Sequence, residues 1–292
     1  MLNKLKMAVS TLKNPSATKN SKPLIILDVG CRWGFADKFI SDMNNIKVYG
    51  FDPDAEECKR LESLYHNKDI HLVPVGLADK PGKRVLHMTS EPACSSLYKP
   101  DKNLTTNYPA LDCAREISQI PITVSTLDLW SKETGIDYAD YIKIDTQGAE
   151  LCILEGAIKL LPRVRFLEVE VEFNPIYEGQ PIFSDVDSFL RKHGFVLWKF
   201  SNLVHYSKND ESEIILSNNS INYDHHKLEH QTRGGQLYWA DAFYARKEIV
   251  NAVYSESETE QLKRDSDMAG RLGFLDLKYR LEIEHKKITG VK

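Results

Sequence analysis

Asp28-Val29-Gly30-Cys31-Arg32-Trp33-Gly34 follows directly on the apolar run Leu24-Ile25-Ile26-Leu27, and this join decides the fold. A buried strand that ends in D-x-G-x-x-x-G and runs into helix-like sequence makes a loop where backbone can approach a ligand closely. Glycine allows that approach because it has no side chain and tolerates positive φ. The helix start beyond it offers free N–H groups to a carboxylate or phosphate. About twenty residues on, a second apolar strand, Ile46-Lys47-Val48-Tyr49-Gly50-Phe51, ends in Asp52. An acid there can accept hydrogen bonds from two ribose hydroxyls, as in nucleotide-binding α/β folds. The two strand ends point to an adenosine-containing ligand, although two glycines can also serve merely to turn a chain.

Glycine spacing separates the candidate ligands. Dinucleotide binders carry G-x-G-x-x-G, whose middle glycine lets backbone reach a pyrophosphate. Here that position is Arg32, which disfavours NAD. S-adenosylmethionine has no pyrophosphate and needs room only for an amino-acid moiety and a nucleoside, so D-x-G-x-x-x-G with Asp52 downstream suits it better.

The 292 residues suffice for one large α/β domain with additions, or for two small domains. A formal net charge of −4 argues against a protein whose main task is gripping a phosphate backbone, so no nucleic-acid partner is expected. The five cysteines, Cys31, Cys58, Cys94, Cys113 and Cys152, are odd in number and lack C-x-x-C spacing. They fit reduced thiols in a cytoplasmic protein better than a disulfide or zinc framework. No apolar run approaches the roughly 20 residues of a transmembrane helix. Residues 1–22, with Lys4, Lys6, Lys13, Lys19 and Lys22, lack a hydrophobic core or cleavage site and read as a flexible or loosely helical arm rather than a secretory signal.

Strand candidates at residues 24–29, 46–51, 70–75, 141–145 and 165–173 alternate with helical segments, the pattern of a mostly parallel sheet. Residues 36–44 and 55–66 are the first two crossover helices. A turn at residues 77–83 and a short returning strand at 84–89 mark an inserted hairpin and loop that runs to about residue 125. After Asp145, the spacing of Leu151, Leu154, Ala157, Ile158 and Leu161 predicts a helix that Pro162 ends. Residues 184–193 predict a helix, 195–200 a strand and 237–245 a last strand, with a polar loop at about 207–234. From Ser255 on, the chain is strongly charged and reads as an appended helix outside the catalytic core. The domain division is thus an arm at 1–22, a main domain at 23–250 and a charged helical extension at 251–292, itself a candidate surface for homo-oligomer formation.

The strand at 165–173 alternates strictly, with Leu167, Val169 and Val171 on one face and Glu168, Glu170 and Glu172 on the other. Three acids on one face of a central strand are costly if buried unpaired. They mark either a solvated face near the sheet edge or, at Glu172, a group beside the ligand crevice.

The whole is similar to the FkbM family of S-adenosylmethionine-dependent methyltransferases. Asp28–Gly34, Gly50-Phe51-Asp52-Pro53, Gly76-Leu77-Ala78-Asp79, Ser95-Ser96-Leu97 and Thr126-Leu127-Asp128 carry the resemblance. The most specific stretch is Ile142-Lys143-Ile144-Asp145-Thr146-Gln147-Gly148-Ala149-Glu150, followed by Leu154-Glu155-Gly156-Ala157 and Tyr177-Glu178-Gly179. It covers roughly residues 23–200, with Trp239-Ala240-Asp241 in a closing strand. The resemblance implies an α/β, Rossmann-like class I methyltransferase sheet, mostly parallel with an antiparallel last strand. It also implies S-adenosylmethionine as cofactor and methyl transfer, most often to oxygen, on sugars of glycans and lipids, polyketide hydroxyls or other small molecules. By the same resemblance, Asp28, Gly30, Arg32, Gly34, Asp52, Pro53, Gly76, Leu77, Ser95 and Ser96 are the cofactor-binding set. Two positions depart from the family. Asp52-Pro53 stands where Glu-Pro is common, and Arg32 where a small residue is usual.

Methyl transfer from a sulfonium is an in-line displacement, so positioning dominates, and a hydroxyl acceptor gains from a carboxylate that removes its proton. Asp145, at a strand end, is the first candidate for that base, and Glu172 the second. Glu150 can orient one of them, or act as a favourable first-turn acid of its helix. The same three acids could instead hold a divalent ion, though nothing in their spacing demands it. Asn174-Pro175-Ile176-Tyr177 resembles the N-P-P-Y element of amino-methylating nucleic-acid enzymes, but it follows the fifth strand instead of the fourth and reads as a structured turn near the acceptor pocket. The rival to an enzyme is a non-catalytic nucleotide- or partner-binding module that kept the fold.

Overall fold

A computed structural model describes residues 22–206, 215–223, 226–233 and 236–290; the expected N-terminal arm lies outside the described residues except for Lys22. The described chain opens on β1 (Leu24–Val29), α1 (Asp37–Ile40), β2 (Ile46–Phe51), α2 (Ala55–Leu64) and β3 (Ile70–Val73). β1 is buried at every position, as expected of an inner parallel strand covered on both faces. Asp54 starts α2 by accepting from the N–H groups of Glu56 and Glu57. An excursion follows through β4 (Gly76–Leu77), β5 (Gly82–Thr89), α3 (Lys102–Asn107) and β6 (Glu116–Ser125). These strands form a separate sheet in the order β4-β6-β5, with β5 and β6 antiparallel. This is the inserted hairpin.

The alternation then resumes with α4 (Leu127–Thr134), β7 (Ala139–Ile144), α5 (Glu150–Glu155), β8 (Val164–Glu172), α6 (Phe183–Lys192) and β9 (Phe195–Tyr206). β10 (Ile215–Tyr223), β11 (His226–Arg233), β12 (Gln236–Arg246), α7 (Lys247–Val250), α8 (Thr259–Arg271) and α9 (Leu275–Thr289) come last. The main sheet runs β3-β2-β1-β7-β8-β12-β9. Its first five strands pair in parallel, and β12 lies antiparallel between β8 and β9. The strand order reverses at β1, which β2 and β7 flank, and ligands bind at such switch points, beyond the carboxyl ends of the strands.

Each face of the sheet has its own core. Leu167, Val169 and Val171 pack with Leu127, Leu154, Val186 and Leu190 of α4 to α6. Phe166 and Tyr141 on the other face pack with Leu262, Met268, Phe274, Leu277 and Leu281. The C-terminal extension is therefore two helices, α8 and α9, and both cover the sheet. Arg264 of α8 pairs with the buried Asp140 of β7, and Arg165 of β8 holds Asp265 through two bonds of 3.0 and 2.6 Å.

Several expectations need correction. The helix expected at 36–44 spans only Asp37–Ile40, and the chain then turns into β2 through Asn45 at φ 57°. The helix after Asp145 stops at Glu155 and not at Pro162. Gly156 packs there against another backbone, and a Cβ would lie 2.1 Å from the Ala78 carbonyl oxygen. The described parts of the segment expected to be a polar loop, Ile215–Tyr223 and His226–Arg233, pair as an antiparallel ribbon. The solvated-edge reading of the three glutamates fails. β8 is an inner strand, and Glu168, Glu170 and Glu172 are 8%, 4% and 2% exposed.

Candidate active site

A cavity of about 750 Å³ opens at the carboxyl ends of the parallel strands, roofed by the inserted hairpin. That size accommodates a nucleoside-bearing cofactor together with part of an acceptor. Ten of the sequence-predicted residues lie on its wall: Gly30, Arg32, Asp52, Pro53, Gly76, Leu77, Ser95, Ser96, Asp145 and Glu172. Asp28, Gly34 and Glu150 do not. Asp28 sits within β1, in register with Gly50 and Lys143.

The β1 loop is shaped by protein contacts as much as by any ligand. Gly30 has φ +85°, and a Cβ there would fall 1.9 Å from the carbonyl oxygen of Asp145. Its missing side chain lets the β1 and β7 ends close together. Arg32 reaches across to β2, with Nη2 2.7 Å from Asp54 Oδ2 and 3.7 Å from Asp52 Oδ1. The Asp52 carboxyl also accepts from the Asp54 N–H at 2.8 Å. Burial raises its pKa despite those contacts. Asp52 is thus clamped in place while it faces the cavity.

The other end of the cavity is crowded with carboxyls. Asp145 Oδ1 accepts from Gln147 Nε2 at 3.1 Å, and its Oδ2 lies 3.5 Å from Lys143 Nζ. Gln147 Nε2 also donates to Glu170 Oε2 at 2.6 Å, so one amide bridges the ends of β7 and β8. Gln147 has φ 59°, a left-handed conformation uncommon for a side-chain-bearing residue. Ser96 Oγ holds it by donating to its carbonyl at 2.6 Å, and Tyr177 Oη, 3.3 Å from Gln147 Oε1, joins the same hub. Ser96 therefore latches the insertion onto the β7 loop. Ser95 Oγ accepts from the Thr89 N–H at 3.2 Å.

Glu150 turns inward. Its Oε1 accepts from the N–H groups of Thr146 at 2.8 Å and Gly148 at 3.2 Å, and from Thr146 Oγ1 at 3.1 Å. It braces the loop that presents Asp145 and Gln147. Burial lifts its pKa to about 7. Glu170 and Glu172 are pushed well above the usual carboxylate range, first by burial and then by neighbouring acids. Asp241 of β12 is lifted to about 8 by burial and by the charges of Glu168 and Asp145. Among the described residues, no group of three histidine, cysteine or acidic side chains is arranged to hold a metal ion.

Sequence reasoning passed over Gln147, Glu170, Lys143 and Asp241 as site residues. Glu170 was visible in the alternation of β8, and Asp241 as an acid between two alanines. Gln147 carries no signal of its own, since its importance lies in spanning two strands. The turn at Asn174–Tyr177 is structural on one side and faces the cavity on the other. Asn174 Nδ2 donates to the Leu237 carbonyl at 2.7 Å, while Ile176 and Tyr177 line the wall.

The residues present fit S-adenosylmethionine. Asp52 offers a hydrogen-bond acceptor to the cavity, Pro53, Val75, Leu77 and Ile122 line it with apolar surface, and the carboxyl-rich end suits a positively charged group. Strand order and site together define an S-adenosylmethionine-dependent methyltransferase. The chain belongs to the methyltransferase FkbM domain family, whose profile matches residues 28–197. The 2-O-methyltransferase NoeI of Sinorhizobium fredii (strain NBRC 101917 / NGR234) is 26% identical over 206 residues, 68% of this chain and 80% of NoeI. Among solved structures, magnesium protoporphyrin IX methyltransferase from Synechocystis PCC 6803, with bound S-adenosylmethionine, aligns with a TM-score of 0.39 at 11% identity, over 77% of this chain and 70% of that one. A methyltransferase FkbM from Methylobacillus flagellatus KT aligns at 0.38 and 12% identity, over 78% and 45%. No helix among the described residues is long and apolar enough to cross a membrane.

Proposed function

We propose that this methyltransferase acts on a hydroxyl oxygen of a glycan, glycolipid or secondary metabolite, with Asp145 as the base. The observation that carries this reading is the placement of Asp145 on the cavity wall between Lys143 and Gln147. Lys143 Nζ and Gln147 Nε2, 3.5 and 3.1 Å from its oxygens, hold that carboxyl in position beside the cavity. Bound beside it, S-adenosylmethionine supplies an electrophilic methyl group. Asp145 takes the hydroxyl proton while Glu172 and Tyr177, on the same wall, orient the acceptor. Gly30, Arg32, Asp52, Pro53, Gly76, Leu77 and Ser95 hold the cofactor, and Ser96 and Glu150 fix the loops around it. The similarity to NoeI, a 2-O-methyltransferase, supports oxygen as the target. A wall in which Asp52, Asp54, Glu91, Asp145, Glu170 and Glu172 outnumber Arg32 and Lys143 supports an acceptor other than nucleic acid. Free thiols at all five cysteines suit a cytoplasmic site of action. Exposed Leu275, Tyr279 and Ile283, spaced four apart on α9, support homo-oligomer formation through the extension.

The test is transfer of a labelled methyl group from S-adenosylmethionine into aqueous, lipid and polymer fractions of a cell extract, with Asp145→Asn as control. Alkali-stable label in a carbohydrate or hydroxylated small molecule, lost with the variant, is the expected result. Label in nucleic acid, or on nitrogen or carbon, overturns the reading.

A further inference from the structure

The carboxyl end of β8 poses an electrostatic problem that the fold leaves unresolved. Glu170 faces Asp145 from just beyond β7, where Lys143 lies 3.5 Å from Asp145, together with Glu150 from α5 and Asp241 from β12. Its own strand adds Glu172 above and Glu168 below, and Glu168 is already engaged by Lys38 at 2.7 Å. Cys94, Tyr177 and Tyr206 approach from the loops and the end of β9. Lys143 is thus the cation facing several acids, and Gln147 brings a neutral amide where a second cation would balance them. Within this set, burial favours the protonated forms of Glu170 and Glu172, and an arriving positive charge favours the ionised ones.

We propose that the carboxyl cluster of Glu170 and Glu172, beside Asp145, exchanges a proton for the positive charge of the methyl donor. The cluster releases a proton when cationic S-adenosylmethionine binds, and keeps it when neutral-sulfur S-adenosylhomocysteine binds. All three acids line the same cavity as the cofactor residues, and the Gln147 bridge holds two of them together. The raised pKa values of Glu170 and Glu172 agree with this, since burial and the neighbouring acids favour their protonated forms. The release step rests on the family's cofactor alone. On the hydroxyl-methylation reading the cycle then closes. Asp145 receives the hydroxyl proton as the oxygen bonds to the methyl carbon, and sulfur keeps the electron pair of the broken bond. The cavity holds a sulfonium and a carboxylate before transfer, and a thioether and a carboxylic acid after it. Its net charge does not change.

The experiment is calorimetric titration of the full chain at pH 6.5 with S-adenosylmethionine and with S-adenosylhomocysteine, in buffers of differing ionisation enthalpy. At that pH the α-amino groups of both ligands are largely charged. The expected result is release of up to about one proton with S-adenosylmethionine and essentially none with S-adenosylhomocysteine. S-adenosylmethionine affinity should then tighten by up to about tenfold per pH unit through the cluster's titration, with S-adenosylhomocysteine flat. Glu170→Gln and Glu172→Gln, each neutral and close in shape, should each shrink that difference, with folding checked by thermal melts. Equal proton release by the two ligands overturns the proposal and leaves the methyltransferase reading intact. Failure of both ligands to bind the folded protein overturns the cofactor reading and the proposal with it.

Discussion

Strands β7 and β8 carry buried charge at both ends, in opposite ways. At their amino ends each acid has a base. Asp140 meets Arg264, while Arg165 meets Asp265 and Glu248. One step further, Glu168 meets Lys38, and although burial pushes its pKa up, Lys38 and Lys143 hold it below the usual range. At the carboxyl ends, Asp145 has Lys143 at 3.5 Å, Asp145 and Glu170 share the Gln147 amide, and Glu172 has the neutral Gln180 side chain. Buried charges that serve only the fold are neutralised within it, because an unpaired one is strongly destabilising. An excess of acid persists where something outside the chain completes it, and perturbed carboxyls facing a cleft mark that place.

The contrast can be broken most sharply at Asp145. Asp145→Asn should lower kcat by about 10²- to 10⁴-fold, the range for loss of a general base. S-adenosylmethionine affinity should change far less, as measured by methyl transfer beside calorimetry. At the amino ends the expected loss is in stability. Arg264→Ala leaves Asp140 buried and unpaired and should cost about 3–5 kcal/mol in denaturant unfolding. A variant that unfolds like the wild type would show that this end, too, tolerates orphaned acid.

Asp52→Ala should weaken S-adenosylmethionine binding by about 10- to 100-fold through lost ribose hydrogen bonds, with thermal stability little changed. The smallest effect is on pH dependence. Glu150 and Asp241 are held above their ordinary values, at about 7 and about 8. Between the ordinary carboxylate range and those values, the folded state binds more protons than the unfolded one. Stability should therefore fall as pH rises from about 4 to about 8, by up to about 1.4 kcal/mol per unit for each group. Asp241→Asn should flatten part of that slope in melts taken across the range. Glu168 pulls the other way, so its pairing is lost only towards acid pH.

Much of the architecture was legible because local patterns carried it. The apolar run Leu24–Leu27 into Gly30, the run Tyr141–Ile144 into Asp145, and the alternation of β8 each report strand and face directly. Helix lengths were less legible. α5 stops at Glu155, and the next residue, Gly156, packs against the Ala78 carbonyl, a contact with a residue far away in the chain. The C-terminal helices looked like an appendage because their charged surface dominates the text. Leu262, Met268, Phe274 and Leu281 show their purpose only once the sheet lies beneath them.

The sequence by itself determined the strand–loop–acid punctuation around Gly30 and Asp52, and the positions of Asp145 and Glu172 at strand ends, since these depend on period and spacing within one stretch of chain. Tertiary structure decided which acids are balanced. Arg264 reaches Asp140 across 124 positions, Lys38 reaches Glu168 across 130, and Gln147 spans to Glu170 across 23. Charge balance is a property of neighbours in space, set when the sheet orders β1, β7, β8 and β12 side by side, and a linear text holds no record of that distance.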